Sequence, residues 1–396
     1  MDILFLNLLK FSSFEEHNIY TDLLREFIKN GHNVCAVCPS ERRNSEKTNL
    51  RKFGDSAILT VKTFNIQKTN ILEKGIGTLA IKGQFIKAIK KYFKGIKFDL
   101  ILYPTPPITL YGVVKYFKKR NNAKTYLMLK DIFPQNAVDL GLMKTTGLKG
   151  LIYKYFRKQE KKLYAISDRI GCMSQANVDY VIKHNQEVDK AKVEVFPNCI
   201  EVNEISLSEE EKKNIRLKYN LPLDKKIFVY GGNLGKPQGI PFIIECLKAE
   251  KDNKDVYFLM IGDGTEYPKL EQYSKESNQE NFKLLRRLPT EEFDRVIASC
   301  DVGLIFLDHR FTIPNFPSRI LSYMQARLPV LACTDTATDV GKVIVEGEFG
   351  WWCESIDSNC FDSMINTICC ESILNKRKNS FNFLCSNYSV KIPDNC

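Results

Sequence analysis

Short unbroken apolar runs alternate along the chain with longer stretches in which apolar residues return every three or four positions. An unbroken run reads as a strand buried on both faces, since a strand with one wet face would alternate apolar and polar residues. The three-to-four spacing is the stripe of a helix packed by one side. The pattern predicts strands over 2–8, 34–37, 57–61, 99–103, 125–129, 169–173 and 193–196. Helices are predicted between them over 17–30, 77–93, 108–117, 149–164 and 175–184. Ile19, Leu23, Leu24, Phe27 and Ile28 form the stripe of the first helix, and Gly31 stands where a left-handed C-terminal cap belongs.

The segment 197–208 breaks this alternation and turns acidic, as a linker does. Beyond it strands are predicted over 226–230, 256–261, 282–285, 302–307, 329–332 and 351–353. The helices of this half are predicted over 239–247, 267–274, 290–298, 318–326 and 360–370. Strands and helices in alternation give a parallel sheet covered on both faces, hence an α/β fold of two doubly wound Rossmann-like domains in tandem. The domains are expected at 1–200 and 201–374, with a short tail over 375–396. Such sheets bind ligands beyond the carboxyl ends of their strands, and the two sets of ends are expected to face each other across a cleft.

Composition adds little to this picture and charge adds more. With 44% hydrophobic and 27% charged residues among 396, the chain is an ordinary globular one, not a disordered or small secreted scaffold. No apolar run approaches the ~20 residues of a spanning helix. The apolar start after Met1 and Asp2 is too short and too acid-flanked for a signal peptide, so a cytoplasmic address is expected. Residues 1–200 hold 34 Lys and Arg against 18 Asp and Glu, a net +16, whereas the rest carries −5. A basic half suits an anionic membrane surface or a phosphorylated substrate. Nucleic acid is disfavoured, because the basic residues lie on helices without aromatic platforms. The segment 82–97 reads as a basic amphipathic helix with Lys82, Lys87, Lys90, Lys91, Lys94 and Lys97 beside Phe85, Ile86, Ile89 and Phe93. Its apolar face cannot serve core and membrane together, so a membrane role rests on the lysines. Cys35 with Cys38, and Cys369 with Cys370, read as inert core thiols. Neither the cysteine spacing nor any Asp-x-Asp pair offers a metal site.

Candidate chemistry sits just after strands. Residues 230–239 read Tyr-Gly-Gly-Asn-Leu-Gly-Lys-Pro-Gln-Gly and open a helix. Glycines let a backbone approach a phosphate, though the stretch is neither a nicotinamide fingerprint nor a Walker loop, and a packing turn would look the same. Gly262-Asp-Gly264 is a second turn of that kind. In Asn315-Phe-Pro-Ser-Arg319, Pro317 and Ser318 start a helix and Arg319 lies in its first turn, where the helix dipole disfavours a cation. An anion held by the guanidinium fork would offset that cost. Lys130 and Asp131 follow a strand of the first domain and would point into the cleft or form a local ion pair.

These turns, in this order, resemble the family 4 retaining glycosyltransferases of the GT-B fold over nearly the whole chain. Gly31-His-Asn-Val34 resembles the family's Gly-His-x-Val. Asp131-Ile-Phe-Pro-Gln-Asn-Ala-Val138 is similar to a stretch of its polysaccharide-assembly branch, and Phe196-Pro-Asn-Cys-Ile200 to its linker strand. Residues 315–324 with Leu328-Pro-Val330 resemble its donor-site helix. The resemblance implies transfer of a sugar, with retention, from a nucleoside-diphosphate donor to a glycan or lipid-linked glycan at the inner face of a membrane, in synthesis of a capsule or other surface polysaccharide. It implies donor contacts from Gly232, Asn233, Gly235, Lys236, Gln238, Gly262, Gly264, Arg287, Pro317, Ser318, Arg319 and Ser322. Glu15, Glu16 and His17 are implied on the acceptor side, and Asp131, Lys130 and Arg319 in catalysis, with no metal and no other cofactor.

The chain also departs from the family. The paired glutamates of the donor helix are replaced by Pro314 and Ser322, the early glycine pair by Phe14 and Glu15, and the usual closing helix is not expected. Two other readings therefore stay open. One is a GT-B sugar-nucleotide epimerase, which would need cleft carboxylates at 314 and 322. The other is a catalytically degenerate sugar-nucleotide-binding partner of another transferase.

Overall fold

The structure is a computed structural model describing residues 1–65 and 71–391. It divides into two compact units, Met1–Glu201 together with the chain from Val390, and Val202–Ser389.

The first unit holds strands β1 (Asp2–Leu6), β2 (Asn33–Glu41), β3 (Asn49–Phe53), β4 (Ser56–Thr63), β5 (Leu100–Thr105), β6 (Lys124–Leu129), β7 (Arg169–Cys172) and β8 (Val193–Val195). Its helices are α1 (Ile19–Lys29), α2 (Ile71–Tyr92), α3 (Tyr111–Asn121), α4 (Gln135–Asp139), α5 (Gly147–Ile166) and α6 (Gln175–His184). The eight strands run in the order β3-β4-β2-β1-β5-β6-β7-β8. All pairs are parallel except β3 with β4, a hairpin edge absent from the expected parallel sheet. The polar run Asn-Leu-Arg-Lys-Phe of β3 is half or fully exposed, so no apolar pattern announced it. Ile3, Phe5, Val34, Ala36 and Ile58 are fully buried beneath α1 and its neighbours, as unbroken apolar strands require.

The second unit holds β9 (Lys226–Asn233), β10 (Val256–Asp263), β11 (Phe282–Leu285), β12 (Val302–Phe306), β13 (Val330–Thr334) and β14 (Gly350–Glu354), all parallel in the order β11-β10-β9-β12-β13-β14. Its helices are α7 (Glu209–Lys218), α8 (Ile240–Ala249), α9 (Tyr267–Ser277), α10 (Thr290–Ala298), α11 (Arg319–Gln325), α12 (Val340–Glu346), α13 (Ser358–Cys370) and α14 (Leu374–Asn387). The acidic start of the expected linker region gives way to α7, nucleated by a capping box between Ser208 and Glu211.

Two expectations need correction, and a third, that the basic segment turns its apolar face to the core, is met. The tail over 375–396 is not a loose end: its residues 375–387 belong to α14. Ser380 donates to the Leu328 carbonyl at 2.8 Å, Arg377 reaches the Cys300 carbonyl at 2.9 Å, and Leu384 is fully buried. Val390 then donates to the Ile200 carbonyl at 3.0 Å, so the chain closes on the first unit. Polar Asn and Lys residues around a few buried anchors hid this helix from a periodicity reading. Cys369 and Cys370 are half-buried and exposed, unlike Cys35 and Cys38, which are buried, with Cys35 pushed up to about 12 by desolvation. The basic amphipathic segment spends its apolar face on the core: Phe85, Ile89 and Phe93 are buried while Lys87, Lys90, Lys91 and Lys94 are exposed. Among the described residues no helix is long and apolar enough to cross a membrane.

Candidate functional site

In the second unit the order of strand addition reverses between β9 and β12, and the loops beyond their carboxyl ends carry most of the residues singled out above. Gly232 has a φ of 126°, a region that side chains other than hydrogen rarely allow. A Cβ built there would lie 3.5 Å from Arg319 Cζ. Arg319 opens α11, and its guanidinium lies 4.2 Å from the centroid of the Tyr230 ring. Its Nη1 is buried without a hydrogen-bond partner among the described residues. Ser318 is the residue before the helix and makes no side-chain cap, so the helix begins one residue later than expected.

Tyr323, one turn after Arg319, was not singled out in the sequence. Its buried hydroxyl accepts the Gly231 N–H at 2.9 Å and donates to the Leu304 carbonyl at 3.0 Å. It thereby ties α11 to both strands at the reversal point. Gly303 makes room for it, since a Cβ there would lie 2.5 Å from the Tyr323 ring. The i, i+4 spacing of Arg319 and Tyr323 was the available signal. The turn before α11 is fixed by a hydrogen-bond chain. Asp335 takes the Ala337 and Thr338 N–H groups at 2.9 and 2.8 Å, and Thr338 Oγ1 takes the Asn315 N–H at 3.0 Å. Burial pushes the Asp335 carboxyl up to about 6.

Several of the residues expected to contact the donor also brace the loops. A Cβ at Gly262 would lie 1.9 Å from the Gly232 carbonyl oxygen, and one at Gly264 would lie 2.3 Å from that of Leu234. These glycines let the second loop pack under the first, which explains their identity without a ligand. Gln238 is buried, and its Oε1 accepts the Gly235 N–H at 3.0 Å and Asn233 Nδ2 at 3.3 Å. Asn233 and Lys236 are exposed, Gly235 is buried, and Pro317 and Ser322 are half-buried. Arg287 is exposed, whereas its neighbour Arg286 stacks 3.6 Å over Tyr267 and pairs with Asp263 and Glu271.

In the first unit Lys130 and Asp131 follow β6. The Lys130 N–H donates to Thr105 Oγ1 at 3.2 Å, and its ammonium lies 5.3 Å over the Phe196 ring. Burial pulls that ammonium down to about 8. It lines a small cavity with Tyr20, Asn198 and Cys199, and Asn198 Oδ1 is buried without a partner. Asp131 Oδ2 accepts Asn136 Nδ2 at 2.6 Å. Burial, with the Glu160 charge adding, pushes this carboxyl up to about 7, where it can take or give a proton at neutral pH. No ion pair joins Lys130 to Asp131 among the described contacts, so the local-pair alternative is set aside.

Of the acceptor-side trio, Glu16 is exposed and accepts the Ser12 and Ser13 N–H groups at 2.6 and 3.2 Å, shaping the loop after β1. Glu15 and His17 stay exposed, with His17 Nδ1 at 3.2 Å from Arg25 Nη2. Arg25 organises the loop. It reaches Asp22 at 2.6 Å, Glu201 at 2.9 Å, the Glu16 carbonyl at 3.2 Å and the Phe14 carbonyl. It escaped notice because it reads as one polar position on an amphipathic helix.

Two doubly wound units in tandem, each with its candidate residues beyond the carboxyl ends of its strands, make up the GT-B fold. Residues 18–204 match the family model described as Glycosyltransferase Family 4, and residues 211–379 match that of Glycosyl transferases group 1. The chain is 25% identical over 304 residues to a protein of Pseudomonas aeruginosa named "Probable glycosyltransferase WbjE", covering 76% of this chain and 73% of that one. It is 23% identical over 272 residues to WcaI of Escherichia coli K12, named as a colanic acid biosynthesis glycosyl transferase, covering 68% and 64%. The HepE protein of Anabaena, solved in complex with UDP, shares the fold with a TM-score of 0.68 at 16% identity over 98% of this chain and 96% of that one.

Proposed function

We propose that this glycosyltransferase moves a sugar, with retention, from a nucleoside-diphosphate donor to a hydroxyl of a lipid-linked glycan in the assembly of a bacterial surface polysaccharide such as a capsule. The donor is assigned to the second unit and the acceptor to the first. The observation that carries the reading is the Arg319 guanidinium, stacked on Tyr230 beside Gly232, with a buried Nη1 and no anion paired with it among the described residues. A diphosphate supplies that anion, and a guanidinium fork suits it better than a point charge. Stabilising the leaving diphosphate is then the largest contribution to catalysis, made by Arg319 and neighbouring backbone N–H groups without a metal. Asp131 contacts the sugar or acceptor, and Lys130 provides a second cation. The polysaccharide setting is supported by the names of the relatives and by the stretch 131–138. The basic first unit suits work at the anionic inner face of a membrane.

A second reading is favoured by Pro314 and Ser322, which leave the donor helix without carboxylates: a sugar-nucleotide-binding partner that does not turn over. One experiment separates the two. Thermal shift with a panel of UDP-, GDP- and dTDP-sugars is expected to show stabilisation by at least one donor, lost in Arg319→Ala. Hydrolysis of that donor to free nucleoside diphosphate marks a transferase, and binding without it marks the partner. No stabilisation by any donor would remove both readings.

A further inference from the structure

Helix α5 is packed along one side only. Glu160, Leu163 and Tyr164 are buried, Tyr153 reaches Gln135, and Phe156 meets Phe133 with ring centroids 5.1 Å apart. The opposite side of its first turns is bare. Leu151 is 62% exposed, Ile152 53% and Tyr155 45%, and Leu142 in the preceding turn is 58% exposed. Exposed apolar residues scattered singly need no explanation, and Leu217, Val345 and Leu374 are of that kind here. Three large ones within two helical turns do need one.

Residues 151, 155, 158 and 162 follow one another at helical spacing along the outer face. The first two are Leu151 and Tyr155, and the last two are lysines. Lys154 flanks that line and is exposed; Lys161 is exposed as well and pairs with Glu187 at 2.9 Å. Between Leu140 and Gln159 the sequence holds five Lys and Arg and no acid. The next acid, Glu160, is buried and held by Arg157 and by Tyr164 at 2.7 Å. The helix therefore presents an apolar tip with the exposed Lys154 and Lys158 beside it, whereas Lys161 is paired with Glu187 and Lys162 lies half-buried over the Tyr111 ring.

We propose that this tip docks the protein on an anionic lipid bilayer. Leu151, Ile152 and Tyr155 enter the boundary between headgroups and acyl chains, while Lys154 and Lys158 meet lipid phosphates. Both halves of the surface are used, because an interfacial element needs apolar depth and attraction to negative headgroups together. A second copy of the chain fits less well, since a self-complementary contact would bring the exposed lysines together. The inference rests on the membrane-face reading above and names the surface that serves it. It gives that surface an apolar anchor of its own.

Co-sedimentation with vesicles tests it. Wild-type protein is expected to pellet with phosphatidylglycerol–phosphatidylcholine vesicles at low salt and not with phosphatidylcholine alone. Leu151→Ser, Ile152→Ser and Tyr155→Ser together should lower partitioning by ~10-fold or more with an unchanged melting temperature. Lys154→Gln with Lys158→Gln should reduce the salt-sensitive part only. In Tyr155→Trp, the new indole should shift to shorter wavelength and be quenched by brominated acyl chains. If wild-type protein stays in the supernatant, the membrane reading and the docking tip both fall. If it pellets but the triple variant pellets equally, or Trp at 155 is not quenched, the tip falls and the membrane reading stands. A dimer lost in the triple variant would make the face a contact between copies and overturn the proposal.

Discussion

The Arg319 guanidinium lies 4.2 Å from the centroid of the Tyr230 ring, so the last large side chain of β9 is the floor on which the candidate anion site rests. Stacking holds the plane of the fork before any ligand arrives, and this preorganisation is what a lysine cannot copy. Arg319→Ala and Arg319→Lys are therefore both expected to lower nucleoside-diphosphate affinity, by about 10-fold or more, with little change in melting temperature. Calorimetric titration with the nucleotide checks this. Unchanged affinity in Arg319→Ala would remove the residue from the donor site.

Gly232→Ala should damage the same site by another route. The φ of 126° strains any side chain, whereas the new methyl would only reach ordinary contact with Arg319 Cζ, at 3.5 Å. A loss of about 1–2 kcal/mol in stability is expected from the backbone alone. Nucleotide affinity should fall with it. Gly235→Ala, at an extended φ of −114°, should cost less backbone strain but must displace Asn233 Nδ2, 2.8 Å from the new Cβ, and the two denaturation midpoints weigh strain against that contact.

Asp131 makes stability depend on pH in a stated direction. Its folded pKa of about 7 lies above the unfolded value near 3.9, so the native state keeps a proton that the unfolded chain has released. The native form is relatively favoured below about pH 4 and loses that advantage as pH rises to 7. Asp131→Asn removes the dependence and should stabilise the protein at pH 8 by about 1–3 kcal/mol, with little effect at pH 4. Thermal melts at the two pH values decide this. Turnover should fall at both if Asp131 contacts the reacting sugar.

Arg25 holds the loop after β1 against Asp22 and Glu201. Arg25→Ala would leave the buried Asp22 carboxylate without its cation, a loss on the order of 3 kcal/mol. Arg25→Lys should recover only part, because one ammonium cannot span Asp22, Glu201 and two carbonyls. Urea denaturation of the three proteins measures the difference.

Charge neutralisation by Arg319 and backbone N–H groups predicts turnover that survives EDTA. Loss on chelation with recovery on added magnesium or manganese would assign the diphosphate to a metal instead.

The two tandem α/β domains were legible from the sequence because strands buried on both faces must be unbroken apolar runs, and Ile3–Leu6 and Phe228–Tyr230 are such runs. Arg319 could be singled out too, since a cation in a helix's first turn is out of place without an anion, and the anion it would meet is the proposal above. The strand β3 and the helices α7 and α14 were not, because their polar sequences leave only a few anchors, such as Ile215, Ser380 and Leu384, and the partners of those anchors lie far along the chain. Roles within the loops were decided by tertiary structure alone. Gly262 and Gln238 look like ligand residues in sequence, yet contacts across the fold make one a space for the Gly232 carbonyl and the other a brace for Gly235. Tyr323 and Arg25 look ordinary, yet each joins segments that only folding brings together. Local sequence determines which elements form, because periodicity and capping are local, whereas what a side chain touches depends on chain segments distant in sequence, and only the packed fold sets that.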